Sequence, residues 1–248
     1  YRDLDRFNDQ LRVQNITKID SKGKALLIFF ESGLTLYSHN QLYGKWLIVR
    51  KGKTPKTNRT QRLVISTSRH RAFLYSASSI EVLQPEELEV HPYLIKLGPD
   101  ALAEETDWEQ VYQQLTSSRF EGRSLGSLLL DQHFVAGIGN YLRSEIFHVS
   151  RLSPLDRPKD LSAIKKRTLS KDILRVTGQA FLTAGVTNDL SRVSILKEQG
   201  LTRSKYRFAI FARAGLPCYE CGEEIVRSQA NGRRFYSCPA CQPSVRMV

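Results

Sequence analysis

Cys218-Tyr219-Glu220-Cys221 and Cys238-Pro239-Ala240-Cys241 contain all four cysteines of the chain. Each C-x2-C pair can place two thiolates on one tight turn. Two such turns facing each other make the closed tetrahedral sulfur site that a structural Zn²⁺ prefers. Between the pairs, Glu223 to Arg227 and Arg233 to Tyr236 flank a polar turn at Asn231-Gly232, the pattern of a two-stranded hairpin with arginines near its tip. The stretch reads as a zinc ribbon. Two disulfides or four free thiols are the competing assignments; against them stand the absence of any other cysteine and of any sign of export. Four thiolates leave no open coordination position, so one structural Zn²⁺ that does no chemistry is expected.

Arginines braced in this way need a partner, and the rest of the chain indicates its charge. Across 248 residues the net charge is +12, which favours phosphate-bearing partners because each neutralised phosphate releases condensed counterions. Lys45 to Arg71 carries nine Lys or Arg and no Asp or Glu, whereas Glu81 to Glu109 is mostly acidic. So one-sided a run suits a phosphate-facing surface better than a merely solvated one. Charge alone leaves nucleic acid and an anionic membrane surface both open. No apolar run approaches the roughly 20 residues that span a bilayer, and the start has no signal-peptide core. The expectation is a soluble, cytoplasmic protein with no membrane partner.

The first third alternates short apolar runs with turn signals. Ala25 to Phe30 and Leu34 to Tyr37 flank Glu31-Ser32-Gly33 as a hairpin, and further strands are expected at 45–49, 62–66, 72–75 and 80–83. Strands joined by short connections with no helix between them predict an antiparallel sandwich or barrel. The loop from His39 to Gly44 exposes Leu42 and Tyr43, which a plain turn does not need. Pro85, Pro92 and Pro99 then mark a linker among acidic residues. Helices are expected at 107–115, 125–132, 141–149 and 163–184. Asn140 is read as the N-cap of the third, after two glycines that leave backbone N–H groups free for an anion. A plain helix-turn-helix joint is the alternative there. Residues 186–206 have no clear pattern.

Several stretches together resemble one family. Leu129-Leu130-Asp131-Gln132, then Ala136-Gly137-Ile138-Gly139-Asn140-Tyr141-Leu142-Arg143-Ser144-Glu145-Ile146, and the four-cysteine ribbon resemble the helix-two-turn-helix and zinc-finger half of the formamidopyrimidine-DNA glycosylase and endonuclease VIII family. Gly23-Lys24-Ala25-Leu26-Leu27 and Leu36 to Gly44 resemble its N-terminal β-sandwich. The triplet Gln41-Leu42-Tyr43 points to the endonuclease VIII branch, because the other branch typically carries a wedge with Met, Arg and Phe. The likeness runs from Tyr1 to Cys241. It implies an α+β multidomain chain: a β-sandwich over 1–95, a linker over 96–106, a helical helix-two-turn-helix domain over 107–206 and a zinc-ribbon finger over 207–245.

The resemblance also implies an activity. A monomeric bacterial enzyme of base-excision repair would bind double-stranded DNA containing oxidised or abasic nucleotides, remove oxidised pyrimidines and cut the strand by β,δ-elimination through a Schiff base. The damaged base leaves the duplex for a pocket between the domains at a cost of a few kcal/mol. Gln41, Leu42 and Tyr43 would fill the hole, two as a wedge and the amide against the orphaned base; packing of Leu42 and Tyr43 on the sandwich is the alternative. Lys24 matches the family lysine that assists elimination as an acid and phosphate contact. Arg233 matches the ribbon-tip arginine credited with assisting δ-elimination, with Arg234 the alternative register. Asn140 and Lys96 fall at DNA-contact positions, and Glu145 reads as a structural hydrogen-bond acceptor.

The chain departs from the family at its start. Members begin, after methionine removal, with Pro-Glu, the proline nitrogen being the nucleophile and the glutamate the acid. An α-amine suits this role because its ordinary pKa near 8 leaves a useful neutral fraction (about a tenth at pH 7), whereas a lysine near about 10.4 does not. Neither residue opens this chain, and the family's N-terminal helix is expected to be missing with them. The expectation is that Pro-Glu precedes Tyr1 in the native protein, and that residues 1–248 alone cleave little. A catalytically silent damaged-DNA-binding relative is the alternative, and a ribbon that only contacts protein is the weaker third.

Overall fold

The computed structural model describes residues 2–41 and 43–243. The chain forms two compact units, Tyr1–Lys96 and Leu97–Val248.

Among the described residues of the first unit a helix α1 (Arg2–Leu11) precedes seven strands: β1 (Ile16–Lys22), β2 (Ala25–Phe30), β3 (Thr35–His39), β4 (Lys45–Arg50), β5 (Gln61–Ser66), β6 (His70–Tyr75) and β7 (Ser79–Leu83). They make two antiparallel sheets, ordered β1-β2-β3-β7 and β4-β6-β5. Ile28, Phe30 and Leu36 of the first sheet share one apolar cluster with Leu74 of the second, and Trp46, Leu63 and Ile65 pack against it. The predicted strands formed on their apolar runs: β2 and β3 are mostly buried, whereas the residues of β4 and β5 are partly or fully exposed. Strand β1 went unread, since its exposed sequence ITKIDSK offers little apolar signal. Ahead of β1 the chain forms α1, with Phe7 buried and Leu4 and Leu11 packed on the same cluster. Spacings of three and four residues put these on one helix face, and the polar residues between them hide the stripe from a composition-based reading.

After β7 come a short helix α2 (Pro85–Glu89) and a 3-10 turn (Leu94–Lys96). The second unit holds α3 (Trp108–Thr116), α4 (Leu125–Leu128), α5 (Asn140–Ser150), α6 (Ala163–Leu182), α7 (Leu190–Glu198), α8 (Arg203–Tyr206) and the hairpin β8 (Val226–Ala230) with β9 (Arg233–Ser237). Asp107 caps α3 by accepting from Gln110 N–H at 2.8 Å. Residues 97–106 are stitched to the helical part, Gly98 N–H donating to Gln132 O at 2.9 Å and Ala136 N–H to Pro99 O at 2.9 Å.

Two helix expectations are corrected. The helix expected over 125–132 stops at Leu128, because the Asp131 carboxylate accepts from His133 N–H at 3.0 Å and from Arg123 at 2.7 Å, which favours a turn. The residue capping α5 is Gly139, and Asn140 is its first helical residue. Gly137 has a positive φ of 93°, but its N–H donates to the Gln132 side chain at 3.0 Å, so it is not free for an anion.

Candidate nucleic-acid interface and metal centre

The cysteine sulfurs converge. All four Sγ atoms lie within 4.8 Å of one another. The separations are 3.9 Å for Cys218–Cys241 and 3.4 Å for both Cys221–Cys238 and Cys221–Cys241, with no disulfide formed. A tetrahedron with Zn–S bonds of about 2.3 Å has S···S edges of about 3.8 Å, so the set fits one tetrahedral thiophilic ion. Backbone N–H groups of Glu220 and Cys241 point at Cys218 and Cys238 Sγ, at 3.5 and 3.4 Å, as thiolate ligands require. Ile210, Ile225 and Tyr236 complete the small apolar cluster around the sulfurs.

From the cysteines the hairpin runs to a two-residue turn. Ala230 pairs with Arg233 across Asn231 (φ 53°) and Gly232 (φ 69°). Two left-handed residues in succession, as Asn-Gly, match the twist of the flanking strands. The turn is seated on the helices. A Cβ on Gly126 would lie 2.7 Å from Asn231 Oδ1, so α4 needs glycine there. Arg143 of α5, fully buried, donates to Gly126 O at 3.2 Å, Ala230 O at 3.1 Å and Asn140 Oδ1 at 3.0 Å. Burial, reinforced by the nearby charge of Arg233, pushes the Arg143 guanidinium down to about 10. Asn140 Nδ2 donates to Arg234 O at 2.9 Å. Phe235 lies edge-on to Phe147 at 5.7 Å and belongs to the helical core. The tip is therefore fixed while Arg233 remains exposed.

The root of the ribbon is held too. Glu145, buried in α5, accepts from Ala209, Ile210 and Phe211 N–H at 3.0, 2.9 and 2.7 Å and from Thr187 Oγ1 at 2.8 Å. Burial pushes its carboxyl up, and these four hydrogen bonds work against that rise. Arg143 escaped the sequence reading. Its only local signal is a charge in the inward register of α5, next to apolar Leu142 and three residues before Ile146.

In the first unit Lys24 is exposed in the two-residue turn between β1 and β2, where Gly23 (φ 59°) supplies the left-handed conformation. Its N–H donates to Tyr93 Oη at 3.3 Å, and the Tyr93 ring meets His39 edge-on at 5.0 Å. Burial, and then the charge of Lys24, hold the His39 imidazole below its ordinary pKa. Tyr93 N–H also donates to His91 Nδ1 at 3.3 Å, and His91 Nε2 faces Glu81 at 3.3 Å. Lys24 thus stands on an aromatic and imidazole base.

Gln41 (φ 45°) and Tyr43 lie exposed on one loop, Tyr43 at 70% of its full exposure, so it does not pack on the sheets. Leu42 lies outside the described residues. A Cβ on Gly44 would come within 2.5 Å of Asn40, so only glycine closes this loop so tightly. Lys96 is exposed at the end of the 3-10 turn. The ribbon residues and Asn140 thus come together in the second unit, whereas Lys24, Gln41, Tyr43 and Lys96 belong to the first.

Residues 97–191 match the formamidopyrimidine-DNA glycosylase H2TH domain, and residues 2–77 match the formamidopyrimidine-DNA glycosylase N-terminal domain. The chain is 41% identical over 239 residues to a protein named Endonuclease 8 from Escherichia coli, covering 96% of this chain and 88% of that protein. The chain belongs to the formamidopyrimidine-DNA glycosylase and endonuclease VIII family. Endonuclease 8 of Salmonella arizonae is 42% identical over the same coverage. In fold this family member resembles formamidopyrimidine-DNA glycosylase of Lactococcus lactis solved on DNA containing an abasic site, with a TM-score of 0.77 and 20% identity over 97% of this chain and 86% of that one. A complex of the Lactococcus enzyme with Fapy-dG DNA gives a TM-score of 0.78 at 19% identity, over 96% and 86%. Among the described residues no helix is long and apolar enough to cross a membrane.

Proposed function

We propose that this family member is a bifunctional DNA glycosylase and abasic-site lyase of base-excision repair, acting on oxidised pyrimidines in duplex DNA. The observation that carries the reading is the hairpin tip, seated on α4 and α5 so that Arg233 projects from a rigid mount. The long likeness to proteins named Endonuclease 8 supports the same activity class.

In this reaction an amine attacks the sugar's anomeric carbon, the bond to the base breaks, and the departing base takes a proton. The resulting imine makes the neighbouring carbon acidic. Loss of its proton expels the 3′ phosphate, and a second elimination expels the 5′ phosphate. Lys24 supplies an exposed ammonium to the phosphate and the leaving oxygen, with the neutral His39 and Tyr93 fixing its turn. Arg233 clamps phosphate oxygens bidentately during the second elimination, which a lysine cannot do as well. Gln41, Leu42 and Tyr43 fill the vacated stack, and Lys96 contacts the backbone. Asn140 contributes the N-terminus of α5 and its remaining amide N–H to a phosphate. The four cysteines hold one Zn²⁺, which fixes the hairpin and touches no substrate. We take the protein to act as a monomer.

The proline amine and glutamate acid called for by the family resemblance do not open residues 1–248. The test therefore uses the protein translated from its own start codon. Borohydride should trap it covalently on duplex DNA carrying an oxidised pyrimidine and leave products of β,δ-elimination. Tight binding with no trapped adduct would establish the silent damaged-DNA-binding relative instead.

A further inference from the structure

The ribbon carries a second cationic face, and strand alternation separates it from that of Arg233. In the β8–β9 register Arg227 lies opposite Tyr236, Ser228 opposite Phe235, Gln229 opposite Arg234 and Ala230 opposite Arg233. Successive side chains point to opposite faces. Arg233 therefore shares the face of Phe235, which packs onto α5, while Arg227, Gln229 and Arg234 share the other. Towards the cysteines this other face is closed by Tyr236, buried against Phe211 at 5.0 Å. Nearer the tip it opens into a cleft of about 340 Å³ lined by Arg227, Ser228, Gln229 and Arg234.

The cleft has the chemistry of a phosphate seat. Both guanidiniums are exposed, and neither forms an ion pair among the described residues, although Arg123, Arg175 and Arg192 of the same unit each have a carboxylate. Arg227 and Arg234 are diagonal neighbours, about 7–8 Å apart at the backbone in such a ladder. Two like charges at that separation on a rigid hairpin repel each other until an anion enters between them. Each guanidinium offers a planar fork suited to phosphate oxygens, and the Gln229 amide adds a neutral donor. Among the described residues no aromatic or apolar side chain lines the cleft to stack a base, so it would read charge and not sequence.

We infer that the Arg227–Arg234 cleft is a backbone phosphodiester site for DNA, separate from the Arg233 position and indifferent to the lesion. It gives the ribbon two phosphate-facing sides and adds a sequence-independent grip on undamaged duplex. This deepens the proposed function, resting on the reading that the protein binds DNA.

The experiment is a salt titration of affinity for undamaged duplex, with the single-turnover cleavage rate at saturating lesion DNA as its companion. Arg227→Gln with Arg234→Gln should lower the slope of log K against log salt by about 0.9, the loss of one neutralised phosphate, and each substitution alone should lower it by part of that. The cleavage rate at saturation should not change in Arg227→Gln, whereas Arg233→Gln should lower it. The doubly substituted Arg227→Lys, Arg234→Lys protein, which keeps the charge, should retain most of the slope. An unchanged slope in the Gln pair would overturn the inference, as would an equal loss of slope in the Lys pair, which would mean the hairpin had been damaged. A wild-type protein with no salt-dependent DNA binding would instead sink the proposed function.

Discussion

Asn140 Nδ2 donates to the main-chain oxygen of Arg234 at 2.9 Å, tying the first turn of α5 to the strand that follows Arg233. Asn140 is thus engaged with the ribbon before any substrate arrives. Asn140→Ala should cost about 2 kcal/mol of stability, because it removes both that bond and the one Asn140 Oδ1 accepts from Arg143. The second elimination should suffer more than binding, by about tenfold to a hundredfold in single-turnover rate, because small misplacements of a catalytic group are costly. Quenched-flow separation of the β- and δ-products against the dissociation constant checks the difference.

Arg143 holds four carbonyl or amide oxygens from one buried guanidinium. Arg143→Met keeps volume but strands those acceptors, and we expect a loss of about 2–4 kcal/mol. The melting of the second unit should fall, while Tyr1–Lys96, which lacks this residue, melts as before. Domain-resolved hydrogen exchange distinguishes the two.

Metal removal should act on the ribbon alone. A strong chelator at neutral pH is expected to release one equivalent of zinc, loosen the hairpin and lower strand cleavage. Cys238→Ser should reproduce the loss although no cysteine meets DNA. Zinc content by mass spectrometry, followed by restoration of cleavage on adding Zn²⁺, tests this. Full cleavage by the metal-free protein would contradict it.

His39 gives a pH dependence with a definite sign. Burial and the adjacent Lys24 hold its folded pKa below the unfolded value, so the unfolded chain binds the proton more readily. Its favourable contribution is present above the unfolded value of about 6.5 and is lost as pH falls towards the lower folded value. His39→Gln should flatten the decline in melting temperature on acidification from about pH 7 to pH 5. Lys24 and Tyr93 are the charged and titratable side chains that face it among the described residues.

What was legible in the chain was whatever is locally periodic or chemically unambiguous. Strands such as β2 and β3 announce themselves by apolar runs around Glu31-Ser32-Gly33, and the cysteine spacing needs only the coordination preference of a metal. Asn140 misled because asparagine is a favoured cap, yet here it spends its amide on a residue 94 positions away. Gly126 carries no local sign of its role, and it is the close approach of Asn231 and Pro154 that leaves no room for a side chain there. Helix α1 was hidden for the opposite reason: its stripe of Leu4, Phe7 and Leu11 is real but thin among charges. The expectation that Glu145 is a structural acceptor held because a carboxylate amid apolar helix positions must find donors, although which donors lay beyond local pattern.

That carboxylate has a consequence for how the ribbon can be moved between proteins. Glu145 takes the main-chain N–H groups of Ala209, Ile210 and Phe211, contacts that depend on no side chain of the segment they hold. The root will therefore accept many sequences, but only in a host whose helix offers the same anion at the same height. The finger is not a portable cassette: a graft onto a scaffold without its own Glu145 would bind its metal and still swing.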